Sequence, residues 1–217
     1  MMASRPYNII ITGVGGQGNV LAARLLGSAL LKAGFETSVG DVFGLSQRGG
    51  SVASHIRFWQ GPPLPPLVPR GALDLVVGFE PLEALRVLAE FGNAASRVLV
   101  NEVPVPPIGV LMGRTIYPSM GVLMGDLRRL SAEMVSVDAV DLSHQAGDAQ
   151  ALNMVMMGAL GGWGVLPLSG EDLEAEVIGS LAARFAETNR RAFRLGMEAA
   201  RVRGRCGGGA DGAPSTD

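Results

Sequence analysis

The stretch "IIITGVGGQGNVLAARLLG", residues 9–27, joins a short apolar run to an apolar stripe of helical spacing through a glycine-rich elbow. Its Gly13-x-Gly15-x-x-Gly18 spacing matches the dinucleotide fingerprint. In a strand–turn–helix unit, Gly13 permits the tight turn and Gly18 lets the helix pack close to the sheet. Gly15 and Gly16 bring bare backbone up to a ligand. The first N–H groups of the helix lack internal partners and carry partial positive charge, which suits a phosphate. Asp41 stands about 20 residues on, where a ribose-binding acid would lie. The same glycines would equally serve a turn with no ligand. Gln17 is the less ordinary residue. A nucleotide elbow gains nothing obvious from a flexible amide at its apex, whereas an amide, carbonyl or thioester ligand could use both its donor and its acceptor.

A second loop, "GLSQRGGSV" at residues 44–52, follows the second strand-like run. Ser46, Gln47 and Arg48 stand directly before Gly49 and Gly50, at the sheet edge where doubly wound folds bind ligands. Arg48 offers a fork of donors for carboxylate or phosphate, and the glycine pair exposes main chain beside it. The plainer alternative is a solvated turn with Arg48 paired to Asp41. Glu80, Asn101 and Asp141 fall at strand ends and read as caps or turn formers. His55, within an alternating strand, reads as structural, and His144 as a surface residue. Met154, Met156 and Met157 read as core filling.

The residue inventory excludes several chemistries. A single cysteine, Cys206, cannot form an internal disulfide or ligate an iron–sulfur cluster, and two histidines make an internal zinc site improbable. No Ser/His/Asp or Cys/His constellation, Walker loop or GDG thiamine motif is present. Eighteen basic against 20 acidic residues, a formal net charge of −2, create no field for nucleic acid or an anionic membrane. The N-terminus lacks a signal-peptide core, and the uncharged run at residues 151–170 is broken by Asn153, the Gly161–Gly164 cluster and Pro167. It reads as a buried helix followed by a glycine turn, and the expected compartment is the cytoplasm.

Around these loops, strand-like and helix-like runs alternate. Strands are expected at residues 7–11, 35–42, 51–59, 73–79, 97–101 and 134–140, and the third of these, "SVASHIRFW", alternates residue by residue as an antiparallel edge strand would. A helix opens at Glu80-Pro81, and a stiff polyproline-like connector covers residues 61–71. Beyond residue 141 the pattern is helical, with Ser169 and Asp172 forming a capping box before Leu173, Val177, Leu181 and Phe185. The expected fold class is α/β: a Rossmann-like, doubly wound, mostly parallel sheet with helices on both faces and a helical C-terminal part. One domain is expected over residues 1–203, followed by a disordered tail over 204–217.

The segments "GVGGQGNVLAARLLGSALLKAG", "GLSQRGGSVASHIR", "FEPLEALR", "VDAVDL", "NMVMMGALG" and "NRRAFRLG" occur in order over residues 7–197. Together they resemble the gamma-type module of 2-oxoacid:ferredoxin oxidoreductases, and "YPSM" with "EPLEALR" is similar to the arylpyruvate branch. The resemblance implies a small non-redox subunit, inactive without a large partner chain that carries thiamine diphosphate, Mg and iron–sulfur clusters. The implied reaction is oxidative decarboxylation of indolepyruvate or another arylpyruvate to the acyl-CoA. Coenzyme A is then co-substrate, and electrons pass through the complex to ferredoxin. It also implies that Gly13, Gly15, Gly16, Gln17 and Gly18 form a ligand-facing elbow beside Ser46, Gln47, Arg48, Gly49 and Gly50. Asn19 departs from the small aliphatic residue usual at its position, which implies a different start to that helix. Two rival functions stand beside this one: a free-standing NAD- or FAD-binding protein, and a purely structural assembly subunit.

Overall fold

The computed structural model describes residues 5–44, 50–106, 110, 112–113 and 116–206. Strand β1 (Tyr7–Val14) leads through the elbow into helix α1 (Asn19–Lys32), then β2 (Glu36–Phe43) and β3 (Ser51–Trp59). Strand β4 (Leu75–Gly78), helix α2 (Pro81–Phe91) and strand β5 (Arg97–Asn101) follow, then α3 (Met120–Leu130) and β6 (Glu133–Val137). The chain closes with α4 (Ala139–Ala146), α5 (Leu152–Trp163), α6 (Gly170–Gly179) and α7 (Ala183–Cys206). The six strands lie in the order β2-β3-β1-β4-β5-β6. Strands β1, β4, β5 and β6 pair in parallel, and β3 is antiparallel to both β1 and β2.

The alternation of side chains across the strands builds two apolar layers. Ile9, Ile11, Ile56, Phe58, Leu75, Val77 and Leu99 face α1 and the C-terminal helices. Ile10, Val76, Val98 and Val100 face the opposite layer, with Ala84, Val87 and Leu88 of α2 and Leu127 of α3. Ile9, Ile10 and Ile11 are all fully buried, which explains why β1 reads as a continuous apolar run rather than an alternating one. The expected fold class is what the chain adopts.

Four expectations are corrected. Strand β3 is antiparallel but interior; the edge belongs to β2. The last strand stops at Val137, because Asp138 caps α4 by accepting from the Asp141 N–H, so Asp141 is a first-turn residue. The stripe from Leu173 to Phe185 spans two helices, with Ser169 capping the first as expected and the break after Gly179. Gly161, Gly162 and Trp163 stay helical, and Gly164 in the left-handed conformation makes the turn. Helix α3 lacked an expectation altogether. Residues 207–217, most of the expected tail, lie outside the described residues, and α7 extends to Cys206.

Helices α5 and α7 cross backbone to backbone. A Cβ on Gly158 would overlap the Phe193 carbonyl, and one on Gly196 would overlap that of Val155. Gly158→Ala therefore forces the helices apart and lowers stability by about 3 kcal/mol. Gly121→Ala, at an open site in the first turn of α3, changes it by less than about 1 kcal/mol. Urea denaturation midpoints check both.

Candidate functional site

The elbow lies at the carboxyl ends of β1 and β4, the edge where sheets of this kind bind ligands. Gly13 is buried, Gly15, Gln17 and Gly18 are half-buried, and Gly16 is exposed. Gly18 is the N-cap of α1 at φ 82°, and no side chain caps the helix. It admits only glycine, since a Cβ there would meet the Asn153 side chain at 2.8 Å. The first turn of α1 therefore presents uncapped main chain beside the exposed Gly16.

Gln17 is turned inward. Its Oε1 accepts from the Val14 N–H at 2.7 Å and its Nε2 donates to the Phe79 carbonyl at 3.1 Å. The amide that the sequence assigns to a ligand thus closes the elbow on itself and on β4. Among the described residues one N–H and one lone pair stay uncommitted. Asn101 donates to the same Phe79 carbonyl at 3.2 Å and accepts from the Ala139 N–H at 3.0 Å. Asn19, buried, donates to the Val52 carbonyl at 3.1 Å, fixing the start of α1 to β3.

The second loop meets the elbow. Gly15 N–H donates to the Gly50 carbonyl at 2.9 Å, and Gly44 N–H to the Ser51 carbonyl at 2.8 Å. Both ends of the loop therefore stand at the edge that carries the glycine turn. Ser46, Gln47, Arg48 and Gly49 lie outside the described residues, so Gly50 alone of that loop's candidates is placed.

Asp41 is not positioned for a ribose. Strand β3 separates β2 from β1, which sets Asp41 roughly 10 Å from the elbow strand, two strand spacings away. Its carboxylate is also engaged, accepting from Ser54 Oγ at 2.6 Å with Arg24 at 3.8 Å. The dinucleotide reading loses its second requirement here.

The sequence reads Glu80 as a cap or turn former. It is that, accepting from the Glu83 N–H at 2.9 Å, but it is also fully buried and receives a short hydrogen bond from Tyr117 Oη. Burial pushes the Glu80 carboxyl above its ordinary range, opposed chiefly by the Tyr117 hydroxyl. The Tyr117 hydroxyl is raised by burial and by Glu80 and stays protonated. Among the described residues no group of three His, Cys, Asp or Glu side chains gathers as a metal site. His55 is buried, as expected of a structural residue, and His144 is exposed.

Comparison with known proteins agrees with this architecture. Residues 8–199 match the family described as pyruvate ferredoxin/flavodoxin oxidoreductase. The chain belongs to that family, as an oxidoreductase subunit of its indolepyruvate and 2-oxoacid branch. A relative from Pyrococcus horikoshii, indolepyruvate oxidoreductase subunit IorB, is 39% identical over 202 residues, covering 91% of this chain and 97% of the relative. The gamma subunit of a keto/oxoacid ferredoxin oxidoreductase from Geobacter sulfurreducens has the same fold. Its TM-score is 0.65 at 21% identity, covering 90% of this chain and 99% of that one. A 2-oxoglutarate:ferredoxin oxidoreductase from Magnetococcus marinus, solved with 2-oxoglutarate, coenzyme A and succinyl-CoA bound, also shares it. There the TM-score is 0.65 at 16% identity, over 92% of this chain and 32% of that one. No helix among the described residues is long and apolar enough to cross a membrane.

Two outcomes test this geometry. Gln17→Glu keeps the acceptor for Val14 but sets an oxygen against the Phe79 carbonyl, and costs about 1–3 kcal/mol in thermal or urea unfolding. Glu80 binds its proton more tightly folded than unfolded. The stability it contributes is complete below the ordinary glutamate value of 4.5 and is lost as pH rises through the higher folded value. Glu80→Gln flattens that decline, and Tyr117→Phe carries its upper end to higher pH, both read from denaturation midpoints against pH.

Proposed function

We propose that the chain is the small, non-redox subunit of a thiamine-dependent 2-oxoacid:ferredoxin oxidoreductase acting on indolepyruvate or a related arylpyruvate. The observation that supports the reading is the Gly15–Gly50 hydrogen bond, which holds the far end of the second loop against the elbow at the carboxyl edge of the sheet. The curated relative's name supports the substrate class, and the coenzyme A in the structural neighbour supports an acyl-CoA product.

In this reading a larger, cytoplasmic partner chain holds thiamine diphosphate, Mg and iron–sulfur clusters, which supply decarboxylation and electron transfer to ferredoxin. Residues of this chain contribute binding. The uncapped first turn of α1, with Gly15, Gly16 and Gly18, offers main-chain N–H groups to an anion such as a coenzyme A phosphate. Gln17 holds that turn in shape through Val14 and Phe79. Ser46, Gln47, Arg48, Gly49 and Gly50 would supply further contacts, the Arg48 guanidinium being suited to phosphate or carboxylate. Gly13 serves the turn from beneath.

The inward commitment of the Gln17 amide favours a second reading, in which both loops serve only to dock the partner. One experiment separates them. The chain alone is expected to be inactive, and co-expression with the large subunit to restore coenzyme A-dependent reduction of a viologen dye. Arg48→Ala is expected to cut that turnover at least tenfold, by loss of a charge-assisted contact, with the complex intact on gel filtration. Loss of the complex itself supports docking, and activity from the chain alone refutes both.

A further inference from the structure

On the face of the sheet opposite the C-terminal helices, a cavity of about 450 Å³ opens between β3, α2 and the end of β2. That volume lies in the range that holds small organic ligands. Its apolar wall is made by Val42, Phe43, Leu67, Val87 and Phe91, with Glu83, Arg86 and Glu90 along one side. Three of these, Val42, Phe43 and Leu67, expose 46%, 55% and 54% of their surface at the mouth, more apolar exposure than scattered surface residues need. His55 lines the same cavity and is only 3% exposed.

The state of His55 follows from its partners. Nδ1 accepts from the Val68 N–H at 3.1 Å, so the ring proton sits on Nε2. Burial lowers the ring's affinity for a second proton. Phe91 packs edge-on against the ring at 5.3 Å between centroids. Nε2–H has no acceptor among the described residues and keeps some accessible surface. It is an oriented, unused donor that reaches the cavity.

The charges around the cavity are already balanced. Glu83, buried, is paired with Arg86 at 2.6 Å, and Glu90 with Arg70 at 2.8 Å. Among the described residues an added anion would find no uncompensated cation, and it would stand near two carboxylates. The fitting guest is therefore flat, apolar and uncharged, with one oxygen acceptor.

We propose that this cavity binds a small uncharged aromatic carbonyl compound, an aryl amide or ketone. Its ring lies against Phe91 and Phe43, and its oxygen accepts from His55 Nε2–H. The site adjoins the base of the second loop through Gly44 and Ser51, and the inference does not depend on the function proposed above.

The test titrates the full chain with phenylacetamide while the imidazole resonances of its two histidines, His55 and His144, are followed by NMR. The His55 signals should move saturably with a midpoint on the order of 1 mM, as suits so small a ligand, and the His144 signals should stay still. Phenylacetate should bind about tenfold more weakly, because it brings an unpaired charge into the site. His55→Asn keeps an acceptor for Val68 and removes the Nε2 donor, and Phe43→Ser removes an exposed wall that the core does not need. Each should weaken binding at least about threefold. Unmoved His55 signals at about 20 mM ligand overturn the proposal. So does phenylacetate binding as tightly as the amide, or undiminished binding in Phe43→Ser.

Discussion

The main-chain carbonyl of Phe79 is the point on which the carboxyl edge of this sheet depends. Beyond Gly78 the β4 ladder ends, and a buried carbonyl there must find another donor. It receives two, from Gln17 on the elbow and Asn101 at the end of β5, while the Phe79 N–H donates to Thr12 at 2.8 Å. Asn101 in turn receives the first N–H of α4. Side-chain amides thus take over where strand pairing stops and bind β1, β4, β5 and α4 into one rigid rim. The elbow's shape follows from that rim, and so does the reach of Gly15 to Gly50.

The position of β3 gives the glycine fingerprint its meaning. In a dinucleotide fold the strand after the first helix lies beside β1 and brings its acid to the ribose. Here an antiparallel strand is inserted between them, so Asp41 is displaced and paired with Ser54 and Arg24. The same insertion brings the end of the β2–β3 connection, Gly50, back to the elbow. Loss of one nucleotide contact and gain of a second loop are two consequences of a single change in strand order.

Much of this was legible in the residues, and the failures have physical causes. The Ile9–Ile11 run and the alternation of Val52, Ser54, Ile56 and Phe58 report burial directly, so strands and layers emerge from the sequence. Edge or interior position depends on which strand pairs with β3 across a long separation, and alternation is blind to it. Helix α3 buries only Leu123 and Leu127, too thin a stripe to stand out, although Ser119 caps it and Arg128 and Arg129 complete its last turn. The path of α5 through Gly161 and Gly162 is a tertiary effect. Glycine there costs helix propensity but lets α7 approach, and packing prevails. The sequence marks Gln17 as a polar amide at a glycine apex and assigns it to a ligand, whereas the amide binds Val14 and Phe79. Its partner Phe79 lies 62 residues away, so its inward turn had no local signal.

The central claim is that the elbow and the β2–β3 connection form one surface, covered when the large subunit and its co-substrate assemble on it. Hydrogen–deuterium exchange reports this directly, comparing the chain alone with the chain in the reconstituted complex with coenzyme A. Peptides spanning residues 13–18 and 44–52 should slow together, while the exposed face of α3 exchanges as before. Protection falling on α3 or on the outer edge of β2, with both glycine segments unchanged, would contradict the account.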